Sequence, residues 1–300
     1  MSTLDAWLGF EPHTPPAQRL KVAAVLLAAV AGVSSSGVLV RGMHADPLAI
    51  AAWRTLGAAL ILAPTARAGL GVLSRRDWLA LGLAGVALAL HFWTWFASLG
   101  TTTILRSTVL VCTVPVWTAA AEWLWAGVRP RLGWWIGLGI ALPGLGLLAG
   151  TGGRATLAGD ALALAAAALW AGYFLVGREL RQRVSAGPMM ALVCAAAAAV
   201  LFPLAAAGGV ALTGYPGGTW VRIGLAILGP QLVGHLGFVY AVRWVSAATV
   251  SVVTLLEPVV ATVLAAAILG EVPGPYAVLG AAIVSIGIGI AVRAPDRSGG

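Results

Sequence analysis

Two histidines inside long apolar stretches carry the clearest chemical signal in this sequence. His91 and His235 lie 144 residues apart. Each is about 14 residues into a predicted helix, or about 21 Å at 1.5 Å per residue. Since an unperturbed imidazole titrates near pH 6.5, a pair facing one cavity would suit substrate binding or proton transfer. The alternative is a pair of neutral imidazoles that hydrogen-bond to neighbouring helices and stabilise the fold.

An acidic residue also falls inside an apolar stretch, where an ionisable group is costly and usually marks a site or a buried pair. Glu257 precedes Pro258, which cannot donate to the helix ladder and therefore kinks the helix beside the carboxyl group. This acid is a candidate for ion coupling or for binding a substrate amine, and the alternative is a structural pair with a buried cation. Pro115 predicts a second kink, but it follows Val114, so acid chemistry is not expected there.

Arg54 is the matching cation, about eight residues into its predicted helix, or about 12 Å. Two interpretations are open. The arginine could pair with a buried carboxylate such as Glu257, or it could bind a substrate carboxylate through its fork of N–H donors. Arg106 and Glu122 lie nearer to helix ends, where snorkelling to the membrane interface accounts for both.

Aromatic and hydroxyl side chains supply the remaining candidates. Trp95 follows His91 by four residues and shares its helix face, and Trp170 shares a face with Tyr173. Such rings could stack on an amphipathic substrate or attract a cation, and ordinary packing is the alternative for each of them. The predicted cavity is lined by seven residues: His91, Trp95, Trp117, Trp170, Tyr173, His235 and Ser35.

An intramembrane hydrolase is a competing interpretation. The run Gly32-Val33-Ser34-Ser35 loosely resembles the serine motif of rhomboid proteases, with Ser34 as nucleophile and a membrane histidine as base. The sequence has no H-E-x-x-H zinc motif and no P-loop, so zinc proteolysis and ATP-driven pumping are not indicated. Cys112 and Cys194 lack metal or disulfide spacing and are expected to be inert small hydrophobes. No metal or other cofactor is predicted.

Helices must position these residues. Sixty per cent of the 300 residues are hydrophobic and 9% are charged, whereas about a quarter of the residues in a soluble domain are charged. A spanning helix needs about 20 mostly apolar residues, and the strands of a membrane barrel would alternate polar and apolar side chains. The uninterrupted stretches therefore predict an all-α integral membrane protein with ten spans, at residues 20–40, 46–66, 77–98, 102–127, 131–150, 157–177, 187–211, 220–242, 246–269 and 274–292.

The distribution of cations predicts the orientation of the chain. The formal net charge is +8, which in a soluble protein would point to nucleic acid. Here the arginines and lysines lie mainly between the spans, with 13 on one side of a ten-span protein and 4 on the other. The positive-inside rule then places both termini in the cytoplasm and the chain in the cell membrane, with lipid around it and no nucleic-acid partner.

The second half of the sequence repeats the first. Residues 91–150 align with residues 235–293, with His91 opposite His235 and one residue deleted further on. Because each copy has five spans, an odd number, the second copy must enter the membrane from the opposite side, which is a common transporter plan. The predicted divisions are a disordered tail at 1–18, five-helix repeats at 19–152 and 153–293, and a second tail at 294–300.

One stretch in each copy carries a family resemblance. Residues 89–130 read ALHFWTWFASLGTTTILRSTVLVCTVPVWTAAAEWLWAGVRP, and residues 246–271 read SAATVSVVTLLEPVVATVLAAAILGE. The LLEPV run followed by LGE is the most specific part. These stretches resemble the repeat cores of EamA-type carriers in the drug/metabolite transporter superfamily. One departure is Val128, where the second copy has Glu271. The resemblance covers residues 20–293 and implies a 5+5 inverted repeat around a central cavity, with export or exchange of amino acids, metabolites or amphipathic compounds.

These observations predict a secondary transporter, and not an enzyme, that exports small organic solutes by alternating access between the repeats. Protons are the candidate coupling ion, carried by Glu257 or by the histidines. Gly133 and Gly137, and again Gly146 and Gly150, have the G-x-x-x-G spacing that permits close helix approach, either within the chain or in a homodimer. A non-transporting scaffold is the third interpretation, under which loss of Glu257 or of the histidine pair would be silent.

Overall fold

The computed structural model describes residues 8, 10, 14–40, 42–67, 73–102, 104–127, 129–149, 156–270 and 273–292. Over these residues the chain is helical almost throughout, and its one pairing of β type is an isolated bridge between Phe10 and Val245. Nine helices in this part of the chain are long and apolar enough to span a membrane, and residues 132–147 add a shorter apolar helix. The predicted all-α membrane fold with about ten spans is therefore confirmed.

The first five spans follow the predicted order. Their bounds are Pro16–Val40, Pro47–Ala66, Arg75–Thr101, a broken fourth span of Ile104–Val111 and Val114–Ala126, and Leu132–Ala149.

The last five spans include two irregular ones. Their bounds are Leu157–Arg181; Ala186–Ala207; an eighth span of Gly217–Ala226, a π-helix at Ile227–His235 and Leu236–Ala241; a ninth span of Ala247–Val253, a 3-10 turn at Thr254–Leu256 and Glu257–Leu269; and Pro275–Val292.

Several sequence predictions fall on residues outside the described ranges. Span 1 begins at Pro16, inside the segment predicted as a tail, and most of that tail is not described. The same holds for the predicted boundary between the repeats at 152–153, for the tail at 294–300, and for the departure that contrasts Val128 with Glu271.

Polar residues fix where several spans begin. Ser74 and Asp77 form a capping box at the start of span 3, in which each side chain accepts a hydrogen bond from the other residue's backbone N–H. Thr156 accepts from the first turn of span 6, and Ser246 does the same for span 9. Such caps satisfy N–H groups that have no partner within the helix, so the spans start at defined residues.

Both predicted proline kinks interrupt the α-helix. In span 4 the helix ends at Val111 and a new one begins at Val114, immediately before Pro115. In span 9 a 3-10 turn separates two helical segments, and the second begins at Glu257, immediately before Pro258. Proline lacks an N–H and is well tolerated in the first turn of a helix, so each proline starts a new half-helix.

The two repeats exchange a helix. Span 6 of the second repeat packs against spans 3 and 4 of the first, and span 1 of the first repeat packs against spans 8 and 9 of the second. We call spans 3, 4 and 6 the first bundle and spans 8, 9 and 1 the second bundle. Spans 2 and 7 pack against each other, as do spans 5 and 10, so the contacts follow the pseudo-twofold relation between the repeats.

Glycines bring paired spans together at two places. A Cβ on Gly137 of span 5 would meet backbone atoms of Gly287 and Ala291 on span 10. A Cβ on Gly32 of span 1 would lie 2.8 Å from the carbonyl oxygen of Gly229 on span 8. Of the glycines with G-x-x-x-G spacing, Gly137 thus packs inside the chain, as small residues do between membrane helices. The homodimer stays a prediction.

Candidate functional site

The two bundles enclose a central cavity. Its free volume for solvent is about 20 Å³, which is room for about one water molecule. Eleven residues line it: Val33, Ser36, Arg54, His91, Trp95, Thr108, Val111, Cys112, Trp170, His235 and Glu257. The first bundle provides six of them, the second bundle four, and span 2 provides Arg54. A solute of several heavy atoms would therefore need the bundles to separate.

His91 is anchored within the first bundle. Its Nδ1 lies 2.9 Å from the carbonyl oxygen of Ala166 on span 6. A carbonyl oxygen can only accept, so Nδ1 carries the proton, and in the neutral ring Nε2 is an acceptor. The imidazole also lies 5.2 Å from the ring of Trp170 and 6.1 Å from that of Trp95. The sequence interpretation of a histidine that hydrogen-bonds to a neighbouring helix therefore fits Nδ1 of His91.

His235 reaches the same cavity without such an anchor. It is the last residue of the π-helix in span 8, and within the described part of the chain its buried Nδ1 has no hydrogen-bond partner. Its ring lies 5.5 Å from Phe92 and 5.6 Å from Trp170. The repeat-related histidines therefore lie against the same tryptophan. Among the described residues Nδ1 of His91 has a hydrogen-bond partner, and Nδ1 of His235 has none.

Arg54 is a buried cation that lacks hydrogen-bond partners at two nitrogens. Its side chain is 3% exposed, and the guanidinium carbon lies 4.0 Å from the centre of the Phe92 ring. This cation–π contact offsets part of the cost of burial. Nε and Nη2 find no acceptor among the described residues. A buried donor without a partner costs about 1–3 kcal/mol, and more when it is charged, so an acceptor at these two nitrogens would stabilise the structure.

Glu257 faces the same cavity from the break in span 9. Its carboxylate makes no ion pair within 4.0 Å among the described side chains, Arg54 included, whereas its backbone carbonyl accepts a hydrogen bond from Ser34 at 3.0 Å. Arg54 and Glu257 therefore line one cavity without an ion pair within 4.0 Å between them, and their pairing, one of two interpretations from the sequence, stays a prediction.

The indole N–H groups of the cavity are also unused. Trp95 and Trp170 line the cavity, and their buried Nε1 atoms have no hydrogen-bond partner in the described chain. Together with Nε and Nη2 of Arg54, they make four donor nitrogens of the cavity walls that lack a hydrogen-bond partner among the described residues. A site rich in donors suits a ligand with a carboxylate.

Three residues predicted to line the cavity lie elsewhere. Trp117 is 39% exposed, and its indole donates to Thr113 at 3.2 Å. Tyr173 is fully buried, with its hydroxyl 3.9 Å from the sulfur of Met190 on span 7. Ser35 donates to the carbonyl oxygen of Gly32 in its own helix. None of the three is among the lining residues, so the predicted set of seven is reduced to His91, Trp95, Trp170 and His235.

Other lining residues were not predicted. Ser36 lines the cavity next to the predicted Ser35, a register shift of one residue. Thr108 and Cys112 lie one helical turn apart on the last turn before the break in span 4. Cys112 was expected to be an inert buried hydrophobe, but its side chain is part of the cavity wall. The sequence signal that could have found this pair is their position one turn before Pro115.

Ser34, the proposed hydrolase nucleophile, is engaged by backbone carbonyls. Its hydroxyl is 1% exposed and lies 2.7 Å from the carbonyl oxygen of Val30 and 3.0 Å from that of Glu257. The contact with Glu257 ties span 1 to the break in span 9. This geometry directs the hydroxyl proton toward carbonyl oxygens, so the contacts of Ser34 are those of a tether within the second bundle.

Comparison with known proteins places the two halves in one family. The profile of the EamA-like transporter family matches residues 20–150 and, again, residues 157–293. A protein of Bacillus subtilis (strain 168) called "Uncharacterized transporter YwfM" is 30% identical over 260 residues, which cover 84% of this chain and 86% of that one. A solved structure titled "Crystal structure of protein" superposes with a TM-score of 0.77 at 18% identity, over 90% of this chain and 97% of that chain, and shows the same fold.

Proposed function

This chain belongs to the EamA-like transporter family, and on that premise we propose that it is a secondary transporter exporting amino acids or related small organic solutes. It is a multi-pass membrane protein. We place it in the cell membrane with both termini in the cytoplasm, because that orientation puts 13 of its cations on the inner side.

The observation that carries the substrate class is the pair of opposite charges that do not meet. An amino acid at neutral pH has an ammonium group and a carboxylate. Glu257 would take the ammonium group, and Arg54 would take the carboxylate through its two free N–H donors. The indole N–H groups of Trp95 and Trp170 add donors beside the arginine. A solute of one charge alone would leave the opposite wall charge buried and unpaired, which is costly.

The exchange of spans between the repeats supports alternating access as the mechanism. The cavity lies between two bundles of the same construction and has space for about one water molecule. Rocking of one bundle against the other would open the cavity to one face of the membrane and then to the opposite face. Spans 2, 7, 5 and 10 pack in pairs beside the bundles and would serve as the support for this motion.

Glu257 is also the residue that we propose couples transport to protons. A carboxylate that binds the substrate amine in one state can bind a proton in the other, so the two cargoes would alternate at one site. His235 is the second candidate, because its Nδ1 is free of protein partners among the described residues. His91 is less suited to this role, since Nδ1 is held by Ala166.

Purified protein in liposomes tests the proposal. Uptake of a panel of labelled amino acids and organic cations is measured with and without a pH gradient. We expect an amino acid to move faster than in empty liposomes and the gradient to change its rate. Glu257→Gln should lower that rate by roughly tenfold or more, since a hydrogen bond to a charged group is lost.

Glu122→Gln is the matched control, because Glu122 is also a buried acid of a spanning helix but lies outside the cavity lining. The control should keep the pH response. The proposal fails if no panel member is transported. Proton coupling fails if a gradient never changes flux and Glu257→Gln, His91→Ala and His235→Ala are all silent, and that result would favour the scaffold interpretation.

A further inference from the structure

One end of the helical assembly is joined by a cluster of ion pairs. Arg183, just after span 6, lies 2.8 Å from Asp77 at the start of span 3. Arg178 of span 6 lies 3.2 Å from Glu122 of span 4, and that glutamate is only 2% exposed. All of these residues belong to spans 3, 4 and 6 or to the turn after span 6. The pairs therefore hold the first bundle together as one unit and do not cross to the second.

Arg181, on the same turn of the chain, does cross. Its Nε donates to the carbonyl oxygen of Val239 on span 8 at 3.0 Å, and another nitrogen of the guanidinium contacts the carbonyl of Val184. The residue is 3% exposed. Deeper in the membrane, the rings of Phe174 on span 6 and Phe238 on span 8 meet with centroids 6.2 Å apart. One guanidinium thus joins the two bundles.

The chemistry of this contact is that of a helix C-terminus. Span 8 ends at Ala241, so the carbonyl of Val239 is among the last four, which have no partner within a regular helix. A cation is favoured at that end of a helix dipole. Both groups become accessible to water when the bundles part, so the bond can be broken and remade without leaving a buried polar group unpaired.

The cavity reaches toward the opposite end. The C-terminal part of span 4 lies near Arg181, because Glu122 there pairs with Arg178. Thr108 and Cys112 belong to the first half of span 4 and therefore lie toward the other face. Span 1 starts near the Arg181 end, where Gln18 contacts Tyr240 of span 8, and Ser36 lies in its last quarter. Arg181 therefore lies at the end of the bundles opposite to Thr108, Cys112 and Ser36 of the cavity wall.

We propose that Arg181 is the latch that closes the transport pathway at this end, by binding the last turn of span 8 across the interface between the bundles. The proposal rests on the transporter function proposed above. In the transport cycle, the hydrogen bond from Arg181 to Val239 would break before the pathway opens at this end of the protein. The bond would form again before the pathway opens at the opposite end. Arg181 acts on access to the site and touches no substrate.

The native thiol of the cavity provides the test. In a Cys194→Ala background Cys112 is the only cysteine of the chain. Oriented proteoliposomes are treated with a small charged, membrane-impermeant thiol reagent from either face, and the labelling of Cys112 is measured by mass. We expect labelling mainly from the face opposite Arg181. Arg181→Ala should raise the labelling rate from the Arg181 face roughly tenfold, as loss of a hydrogen bond to a charged group would.

Two companion variants separate a latch from a structural role. Arg181→Lys keeps one charged donor for the carbonyl of Val239 and should restore most of the sidedness. Arg183→Ala removes an ion pair within the first bundle and should leave sidedness unchanged. The proposal is overturned if Arg181→Ala gives no gain in labelling from its own face, or if Arg183→Ala gives the same gain. Labelling needs no substrate, so exposure of Cys112 in a protein that moves no solute would support the latch while refuting the proposed function.

Discussion

The breaks in spans 4 and 9 lie at equivalent backbone positions and carry different side chains. Each ends one helical segment and starts the next immediately before a proline, and each lies at the wall of the cavity. Span 4 presents the thiol of Cys112 there and buries Val114, whereas span 9 presents the carboxylate of Glu257. The comparison teaches that the repeat supplies a symmetric frame with a central cavity, while a single substitution between the copies supplies its negative charge.

The largest effect should come from making the breaks alike. Val114→Glu puts a carboxyl group at a position with 0% exposure, among side chains packed around a valine. An unpaired buried charge costs several kcal/mol, so we expect a large fall in the melting temperature of the detergent-solubilised protein. Tryptophan fluorescence or light scattering on heating measures it. The free energy of unfolding of Glu257→Gln should lie within about 1 kcal/mol of the wild-type value. Equal losses of stability in the two variants would contradict the difference between the two breaks.

A smaller difference should separate the two histidines. Replacing either by Phe keeps an aromatic ring, but His91→Phe also removes the hydrogen bond to Ala166. His235 has no equivalent bond at Nδ1 among the described residues. We therefore expect His91→Phe to lose about 1 kcal/mol more stability than His235→Phe. Paired thermal melts in one detergent decide this, and the reverse order would show that the hydrogen bond does not distinguish the two sites.

The smallest expected effect concerns the tether to the break of span 9. Ser34→Ala removes the hydrogen bond to the carbonyl of Glu257 and should lower stability by about 0.5 kcal/mol, the low end for a neutral hydrogen bond. Ser35→Ala is its control, because that hydroxyl donates only within its own helix, to Gly32. Melting curves of the two variants provide the measurement. If Ser35→Ala is as destabilising as Ser34→Ala, the bond between spans 1 and 9 contributes nothing special.

Apolar stretches and an internal repeat were enough to predict the architecture. The free-energy cost of leaving a backbone amide unbonded in lipid permits few alternatives to a helix, so length and composition locate the spans. The resemblance carried by LLEPV and LGE is confirmed by the match of the EamA-like family to both halves. Four of the ionisable residues singled out within the spans, Arg54, His91, His235 and Glu257, line one cavity in the structure, and their roles stay predictions.

The sequence failed where the answer depends on which face of a helix meets which neighbour. Trp117 and Cys112 are five residues apart in the same apolar stretch, but the break between them turns the tryptophan outward and the thiol inward. Snorkelling to the membrane interface was the interpretation for Glu122, and the structure adds what the sequence did not predict: the carboxylate is buried and paired with Arg178 of the other repeat. Hydropathy along one chain cannot report a partner that comes from 56 residues later.

The exchange of spans 1 and 6 has a consequence for how the chain is made. When the first five spans have entered the membrane, Glu122 is there, but Arg178 of span 6 has not yet joined it. The first bundle is then incomplete, because span 6 packs against spans 3 and 4. Span 1 likewise lacks spans 8 and 9, against which it packs, until the second half has been inserted.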